Sequence, residues 1–408
     1  MNDNQNNQRI DAVDALRGFA LAGIVVAHMT EQFIAAPRPD SEWTVSSTLI
    51  DKIVMGLDFA FVQGKFFSIF AVLFGASFAI MMGRAAARGQ NFSGRFLWRL
   101  SILFLFGFLH SLIYRGDILT LYVAIGFILP LFYRISTRAL WTLVALLFLG
   151  IGRYLFLAIT GTDTFLDYQN TPDSPQVAAY VDILKNGSFS DVIRENFVHG
   201  FASKFDYLFG IYGRAYLTLG YFLVGMWLVR TGILHRLQEN RALLKRVLIW
   251  SLGLTPIWAL CFIGIFSVVP QPLDFKTWPP NIGYGFYDFF NISLTAAMIS
   301  GFLLLCLRRP GGAFPGLAAY GRMALSCYLT QSVIGVLIFH GWALGMLGRL
   351  HDWQTLLLAL VVVALQIQVC KWWLARFSYG PLEWLWRSAT YFRRIELKRS
   401  FDSKSETV

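Results

Sequence analysis

The chain is dominated by uninterrupted apolar runs of roughly 20 residues, the length an α-helix needs to cross a hydrocarbon core. Hydrophobic residues make up 56% of the 408 residues and charged residues only 14%, whereas soluble domains carry about 25% charged residues. Outer-membrane barrels would instead show segments of about ten alternating residues. The sequence therefore predicts an all-α polytopic transmembrane helical bundle and excludes a water-soluble enzyme.

The apolar runs and the charged residues between them predict ten spanning helices in one integral membrane domain, residues 1–408. The spans lie near residues 14–35, 64–84, 95–114, 117–134, 138–159, 206–230, 246–268, 286–307, 316–340 and 353–377. Residues 43–62 are apolar with scattered charges, which predicts either an interfacial helix or a broken start to the second span. No internal repeat is evident.

Lys and Arg are concentrated in alternate turns, as the positive-inside rule requires of cytoplasmic segments. Residues 230–246 hold five Lys or Arg against Glu239, and the tail 379–408 is also basic. The loop 159–205 has six acids against three bases, which places it outside the cytoplasm. The net charge of +11 is thus explained by topology, with both termini cytoplasmic, and not by nucleic-acid binding.

The loop 159–205 is the largest polar segment, and loops of this length often have functional roles. It is compatible with a lid on the outer face and equally with a solvated spacer. The four cysteines lie in or at the end of apolar runs without metal-ligand spacing, so we interpret them as small core residues and expect no metal.

Ionisable side chains inside spans are costly in lipid and therefore mark functional sites by default. In the first span, Arg17 and His28 are 11 residues apart, so both project from one helix face roughly 16 Å apart along the axis. The same order, arginine towards the cytoplasm and histidine towards the outside, recurs in the pairs Arg99 with His110 and Arg322 with His340.

Some of these residues also have a structural interpretation. Arginines at cytoplasmic helix ends can snorkel to the interface, and histidines at outer ends can be satisfied by water. His28 is harder to explain in this way because it lies inside an apolar run. We interpret it as a general base, since imidazole titrates near neutral pH and can take a proton from a hydroxyl or amine nucleophile.

Further polar residues are predicted near the outer membrane surface or within the ninth span. They are Asp58, Gln63, Lys65, Arg115, Asp117 and Gln331. Asp58 and Lys65 are compatible with a structural ion pair, and Gln331 with a hydrogen bond between helices. Their similar depth favours a polar cavity in which Asp58 assists His28, while Lys65 and Arg115 stabilise an oxyanion or bind an anionic acceptor. His110, Asp117, Gln331 and His340 are further candidates for substrate contacts.

Five segments carry a resemblance to a known family. They are RIDAVDALRGFALAGI, GKFFSIFAVLFGASFA, LFGFLHSLIYRGDILTLYVAIGFIL, YGRMALSCYLTQS and YGPLEWLWRSATY. The chain resembles the YeiB family of bacterial inner-membrane proteins, catalogued as domain of unknown function 418. The resemblance covers nearly the whole chain except residues 159–205.

The first span also resembles a wider group of transmembrane acyltransferases, which includes polysaccharide O-acyltransferases and heparan glucosaminide N-acetyltransferase. In the O-acyltransferases, an arginine, ten further residues and a required histidine form the signature of the first helix, which Arg17 and His28 match. The lysosomal N-acetyltransferase has its catalytic histidine later, before its second span. This chain has no histidine between residues 29 and 109, so only His28 is carried over.

This resemblance implies an acyltransferase that moves an acyl group from cytoplasmic acyl-CoA or acetyl-CoA to a saccharide or lipid acceptor at the outer side. It implies that Arg17, Arg99 and Arg322 bind the phosphates of the donor, for which arginine is well suited. The main alternative is a transporter or flippase for a small metabolite or a lipid-linked substrate, with a pathway lined by the same polar groups. A third possibility is a non-catalytic membrane scaffold, which would not need His28 inside a helix. Membrane lipids are the other expected partners, and the oligomeric state is left open, a homodimer included.

Overall fold

The computed structural model describes residues 3–39, 44–168, 171–172, 174–270, 273–309 and 314–398. For residues 3–10 this description covers the backbone. The end of the predicted basic tail, residues 399–408, lies outside the described residues, as do positions 169, 170 and 173 of the predicted loop and position 43 of the segment before the second span.

The described chain is helical, and its only β-type pairing is an isolated antiparallel bridge between Phe377 and Lys398. The helices are α1 Asp3–Thr30, α2 Leu49–Phe61, α3 Lys65–Ala86, α4 Ser93–Ile113, α5 Leu119–Gly126, α6 Leu129–Phe132, α7 Thr137–Phe148, α8 Ile151–Thr160, α9 Pro175–Asn186, α10 Phe189–Val198, α11 Gly200–Phe209, α12 Arg214–Arg230, α13 Arg241–Val268, α14 Trp278–Leu307, α15 Pro315–Arg322, α16 Ala324–Phe339, α17 Asp352–Leu374 and α18 Pro381–Tyr391. The predicted all-α fold class is confirmed.

Within the described ranges, six helical segments are long and apolar enough to cross a membrane. They are Asp11–Thr30 of α1, Leu49–Ala86 formed by α2 with α3, and the helices α4, α13, α14 and α17. Two bent pairs, α7 with α8 and α15 with α16, raise the number to eight if each pair is one span. The chain is therefore a membrane protein with six to eight candidate spans, where the sequence predicts ten.

The difference from ten spans arises in two predicted segments. Residues 117–134 form α5 and α6, which have 8 and 4 residues. Residues 206–230 form the end of α11 and then α12, which has 17 residues and is about 26 Å long. Each of these helices is shorter than a hydrocarbon core of about 30 Å.

Both bent pairs have local features that account for the break. Between α7 and α8, which meet at 53°, Gly150 adopts a φ of 70°, a conformation that glycine accepts without strain. Between α15 and α16, which meet at 84°, the backbone N–H groups of Leu325 and Ser326 donate to the carboxylate of Glu383. Glu383 thus caps the new helix and docks α18 against it.

α1 lies at the centre of the bundle and packs against α3, α15, α16 and α17. α3 and α12 approach each other so closely that a Cβ on Gly75 would lie 2.0 Å from the carbonyl oxygen of Phe222. Small residues at such crossings are typical of membrane helices. α13 packs mainly against α14, and most of its other surface is exposed, as expected of a helix that faces lipid.

The segment predicted as a long loop folds into three short helices, α9 to α11, which we call the helical cap. Val177, Val181 and Leu184 of α9 share one buried apolar cluster with Phe33 and Phe339 from the ends of the bundle helices. The cap is therefore packed onto the bundle, and its role as a lid stays a prediction.

α2 is a helix of its own that continues into α3 after a short break, as the alternative of a broken start to the second span predicts. Asp51 of α2 accepts hydrogen bonds from Thr48, which caps α2, and from the backbone N–H of Asp352. It also contacts Nδ1 of His351 at 2.9 Å. A single carboxylate therefore joins the beginnings of α2 and α17.

Candidate functional site

A cavity of about 1170 Å³ lies beneath the helical cap, at the end of the bundle where α1 ends. Its walls come from α1 to α5, from the cap helices α10 and α11, and from α12 to α14. Most of the lining is aliphatic or aromatic, with a few charged side chains. Pockets for small ligands commonly enclose about 300–1,000 Å³, so this cavity is large enough for a lipid or an extended substrate.

His28 lies in the last turn of α1 and lines this cavity. Its buried Nδ1 atom has no hydrogen-bond partner among the described residues. The centroids of three aromatic rings, those of Tyr114, Phe33 and Tyr328, lie 5.0, 5.5 and 6.2 Å from the centroid of its ring. An imidazole that lines the cavity, with a nitrogen that no described residue uses, is a candidate proton acceptor.

His110 and Asp117 form a buried pair next to His28. Nδ1 of His110 lies 2.8 Å from Oδ1 of Asp117, and the other carboxylate oxygen accepts from the backbone and hydroxyl of Thr120. The rings of His110 and Tyr328 are 5.1 Å apart, so Tyr328 contacts both histidines. Asp117 lines the cavity, whereas His110 lies behind the lining with its Nε2 atom unpartnered among the described residues.

Asp58 lines the cavity but does not orient His28. Its carboxylate accepts from the hydroxyl of Thr30 at 3.1 Å and from the side-chain amide of Gln63 at 2.8 Å. Glu31, which also lines the cavity, is its acidic neighbour. Any contribution of Asp58 to the site therefore acts through Thr30 and Gln63, because its carboxylate does not contact the imidazole of His28.

The ion pair between Asp58 and Lys65 that the sequence allows is not formed. The Lys65 ammonium instead donates to the carbonyl of Phe59 at 2.7 Å and lies 4.7 Å from the centre of the Phe290 ring. Lys65 is fully buried and is not part of the cavity lining. A carbonyl and an aromatic face together compensate the buried charge.

Arg115 is placed at the cavity by the turn after α4, but its guanidinium is used to hold the helical cap. It donates to Tyr168 at 2.6 Å, Glu195 at 2.9 Å and Asn196 at 3.3 Å. It also stacks on the ring of Tyr180, 3.5 Å from the centroid. These contacts give Arg115 an anchoring role, and its predicted contact with substrate stays a prediction.

Two other sequence candidates are buried away from the lining. Gln331 lies in α16, and both atoms of its amide lack a hydrogen-bond partner among the described residues. His340 follows the end of α16 and is almost completely inaccessible. Neither residue lines the cavity, so their predicted substrate contacts are not seen here.

The three arginines predicted to bind the acyl donor do not line this cavity either. Arg17 donates to Asp14 at 2.7 Å and to Ser77 at 3.3 Å. Arg99 stacks on Trp386 of α18 at 3.6 Å, while Arg322 is exposed. A donor phosphate would contact Arg322 directly. To reach Arg17 and Arg99, it would have to displace the partners just described.

Two cationic residues of the site, Lys204 and Arg214, were not identified from the sequence. Lys204 of α11 donates to Thr120 at 2.9 Å and lies 3.8 Å from a carboxylate oxygen of Asp117. Burial lowers the pKa of Lys204, the attraction of Asp117 raises it, and the repulsion by Arg115 lowers it further. Arg214, the first residue of α12, also lines the cavity. The available signal was their position as isolated cations in a segment otherwise rich in acids and aromatic residues.

The comparisons with known proteins agree with the resemblance of the five segments. The family described as "Protein of unknown function (DUF418)" matches residues 228–393. The chain is 30% identical to the Bacillus subtilis (strain 168) "Uncharacterized protein YxaH", with 94% of this chain and 95% of that protein covered. It is 27% identical to the Escherichia coli (strain K12) "Uncharacterized protein YeiB", with 94% and 96% covered. The chain therefore belongs to the YeiB-like DUF418 family.

Proposed function

We propose that this protein is a transmembrane acyltransferase that moves an acyl group from acyl-CoA to a hydroxyl of a saccharide or lipid headgroup. The observation that carries the proposal is His28, a buried imidazole that lines a large cavity with its Nδ1 atom unpartnered among the described residues. No hydrogen bond to a described residue gives this nitrogen a structural role. Proton transfer from a bound acceptor would give it a catalytic role.

The proposed step is a direct transfer. His28 takes the proton of the acceptor hydroxyl, and the acceptor oxygen forms a bond to the thioester carbonyl carbon. The carbon–sulfur bond then breaks, and the CoA thiolate leaves with the proton from the imidazolium. Lys204, at the same cavity, supplies positive charge for the developing oxyanion, a term that is usually large in acyl transfer.

The proposed topology has both termini in the cytoplasm and the cavity near the outer face of a bacterial inner membrane. The basic turns predicted from the sequence support this orientation. His28 lies in the last turn of α1 and Arg17 lies near the middle of the same helix, so acyl-CoA would approach from the Arg17 side and the acceptor from the cavity side. Arg99 and Arg322 complete the proposed donor site.

The test uses purified protein in lipid vesicles with a radiolabelled acetyl group on CoA. Wild type, His28→Ala and Arg17→Ala are compared for thioester binding and for release of free CoA, with His235→Ala as the matched histidine outside the cavity. We expect His28→Ala to bind the thioester and to release little CoA, and Arg17→Ala to bind it weakly. Intact wild-type protein that binds no CoA thioester would refute the proposal.

A transporter or flippase is the second candidate, and the bent spans favour it. Discontinuous helices that meet near a central site are characteristic of many transporters, and α15 with α16 is bent by 84°. In such proteins the N-terminus of the second half-helix often faces an anionic substrate, whereas here Glu383 occupies that position. Movement of substrate across vesicles without a covalent acyl product would establish this alternative.

A further inference from the structure

We infer that Arg214 forms the centre of an anion-binding subsite in the same cavity, and that its ligand is the phosphate of a membrane lipid. Arg214 lines the cavity, yet its guanidinium has no hydrogen bond to any described residue, and its buried Nε atom is among the unpartnered atoms. Its described contact is with the ring of Tyr207, 5.8 Å from the centroid. Arginine stays charged in proteins, so an unpaired guanidinium at a mostly apolar cavity requires a counter-charge.

The nearby charges are already committed to other partners. Asp288 is held by Arg153 in a buried ion pair, and Arg153 also donates to the backbone carbonyl of Tyr212. Lys65 donates to Phe59, as described above. Arg214 therefore lines the cavity without an ion pair to any carboxylate of the described residues, although it interacts electrostatically with Asp288.

The start of α12 adds positive charge at this end of the cavity. Arg153 lies behind the lining, and its charge is offset by Asp288, although its Nε and Nη1 atoms have no partner among the described residues. α12 begins at Arg214, and its N-cap residue Gly213 has no side chain to accept from the first N–H groups. A helix N-terminus carries partial positive charge and favours anions.

The rest of the lining near Arg214 indicates which anion would fit. Phe262 and Phe266 of the lipid-facing helix α13, together with Tyr284 and Tyr287 of α14, line the same cavity. Aromatic walls accept acyl chains, and guanidinium groups bind phosphate through paired hydrogen bonds. A phosphate with attached acyl chains would contact both the arginine and the aromatic walls, whereas a free inorganic phosphate would contact only the arginine.

This inference rests on the proposed function and deepens it, because it makes the acceptor a phosphate-bearing lipid. The subsite and His28 belong to one cavity. A lipid phosphate held at Arg214 would leave the headgroup hydroxyl free to reach the histidine. Binding at Arg214 does not require an acyl donor, so the subsite can be tested independently of the reaction.

The test measures lipid binding to the purified full-length protein in nonionic detergent by native mass spectrometry. The probes are dioleoyl phosphatidic acid, dioleoylglycerol, which has the same chains without phosphate, and inorganic phosphate alone. The variants are Arg214→Gln, Arg214→Lys and, as the matched control, Arg88→Gln, which replaces an exposed arginine outside the cavity.

We expect wild type and Arg88→Gln to bind phosphatidic acid more tightly than dioleoylglycerol. Arg214→Gln should lose about tenfold or more of that affinity, and Arg214→Lys should lose less because it keeps the charge. If Arg214→Gln does not fold, Arg214→Lys carries the comparison, and a loss of affinity relative to Arg88→Gln is still required.

Three results would overturn the inference. Equal binding of phosphatidic acid by wild type and both Arg214 variants would remove the subsite. Equal affinity for phosphatidic acid and dioleoylglycerol would remove the role of the phosphate. Arg214-dependent binding of inorganic phosphate alone would show that the ligand is a free anion and not a lipid. Failure of CoA release with lipid binding intact would instead count against the proposed reaction.

Discussion

Nδ1 of His110 lies 2.8 Å from Oδ1 of Asp117, and neither side chain is more than 2% exposed. A carboxylate at this distance orients the imidazole ring through a hydrogen bond at Nδ1, as in other carboxylate–histidine pairs. His110 lies behind His28, and the two interact electrostatically. The pair thus holds His110 in place beside His28, the proposed base. Nδ1 of His28 itself has no hydrogen-bond partner among the described residues.

Replacing Asp117 with asparagine should destabilise the protein by about 2–4 kcal/mol, because buried His110 and Lys204 both lose their charged partner. Equilibrium unfolding in mixed micelles measures this change. Asp182→Asn, an exposed carboxylate of the helical cap, is the control and should change stability little. Equal effects of the two substitutions would contradict the assigned role of Asp117.

Arg115→Ala should loosen the helical cap, since one guanidinium joins Tyr168, Glu195 and Asn196. The local free energy of opening should fall by about 3–5 kcal/mol, the usual cost of breaking a buried charge pair. Amide hydrogen exchange in α9 and α10 reports this opening directly. Arg194→Ala removes an exposed arginine from the same cap and should leave the exchange unchanged.

Gly75→Ala should destabilise the bundle by about 2–3 kcal/mol, because the added methyl group meets the backbone of α12 and the helices must separate. Gly83→Ala lies on the same helix, and its methyl group would meet no atom within 4 Å. That control should be neutral or stabilising by up to about 1 kcal/mol through helix propensity. Thermal unfolding of both variants in detergent measures the two changes in stability. If both substitutions changed stability in the same direction, the close approach of α3 to α12 at Gly75 would be refuted.

The stability of the docked helix α18 should depend on the ionisation of Glu383. Burial raises the pKa of this carboxyl above its ordinary value, against hydrogen bonds from Ser326 and Leu325 that lower it. The folded protein therefore holds the proton more tightly than the unfolded chain, and stability falls as pH rises from the ordinary carboxyl pKa through the raised one.

Glu383→Gln removes this titration, so its melting temperature should change less than that of wild type across the same pH interval. The exposed residue Glu396 provides the control, and Glu396→Gln should follow the wild-type curve. A Glu383→Gln curve parallel to wild type would show that the carboxylate at the start of α16 does not titrate in this way.

The parts of the fold that depend on local composition were predictable. Apolar runs of spanning length required membrane helices, and the spacing of Arg17 and His28 placed the histidine at the far end of α1, where the cavity lies. The bends could not be read from the sequence. Gly150 is one glycine among 35, and the break at Met323 depends on Glu383, which is about 60 residues away.

The same distinction between local sequence and folded contacts applies to the site residues. His28 stood out because an imidazole inside an apolar run is unusual whatever it contacts. Arg115 and Lys65 were expected at the substrate, but both are held by other groups. Glu195 of a distant segment pairs with Arg115, and the carbonyl of Phe59 and the ring of Phe290 hold Lys65. Arg214 was missed because an arginine at a helix start is common, and only the folded cavity reveals that its Nε atom has no hydrogen-bond partner among the described residues.

The rate of CoA release from acyl-CoA in the presence of inner-membrane lipids tests the central claim most directly. The comparison is wild type against His28→Ala, with His235→Ala as the control and acyl-CoA binding measured on each protein. The account predicts a loss of about 10²-fold or more for His28→Ala with binding retained, and no loss for the control. Equal rates for wild type and His28→Ala would contradict it.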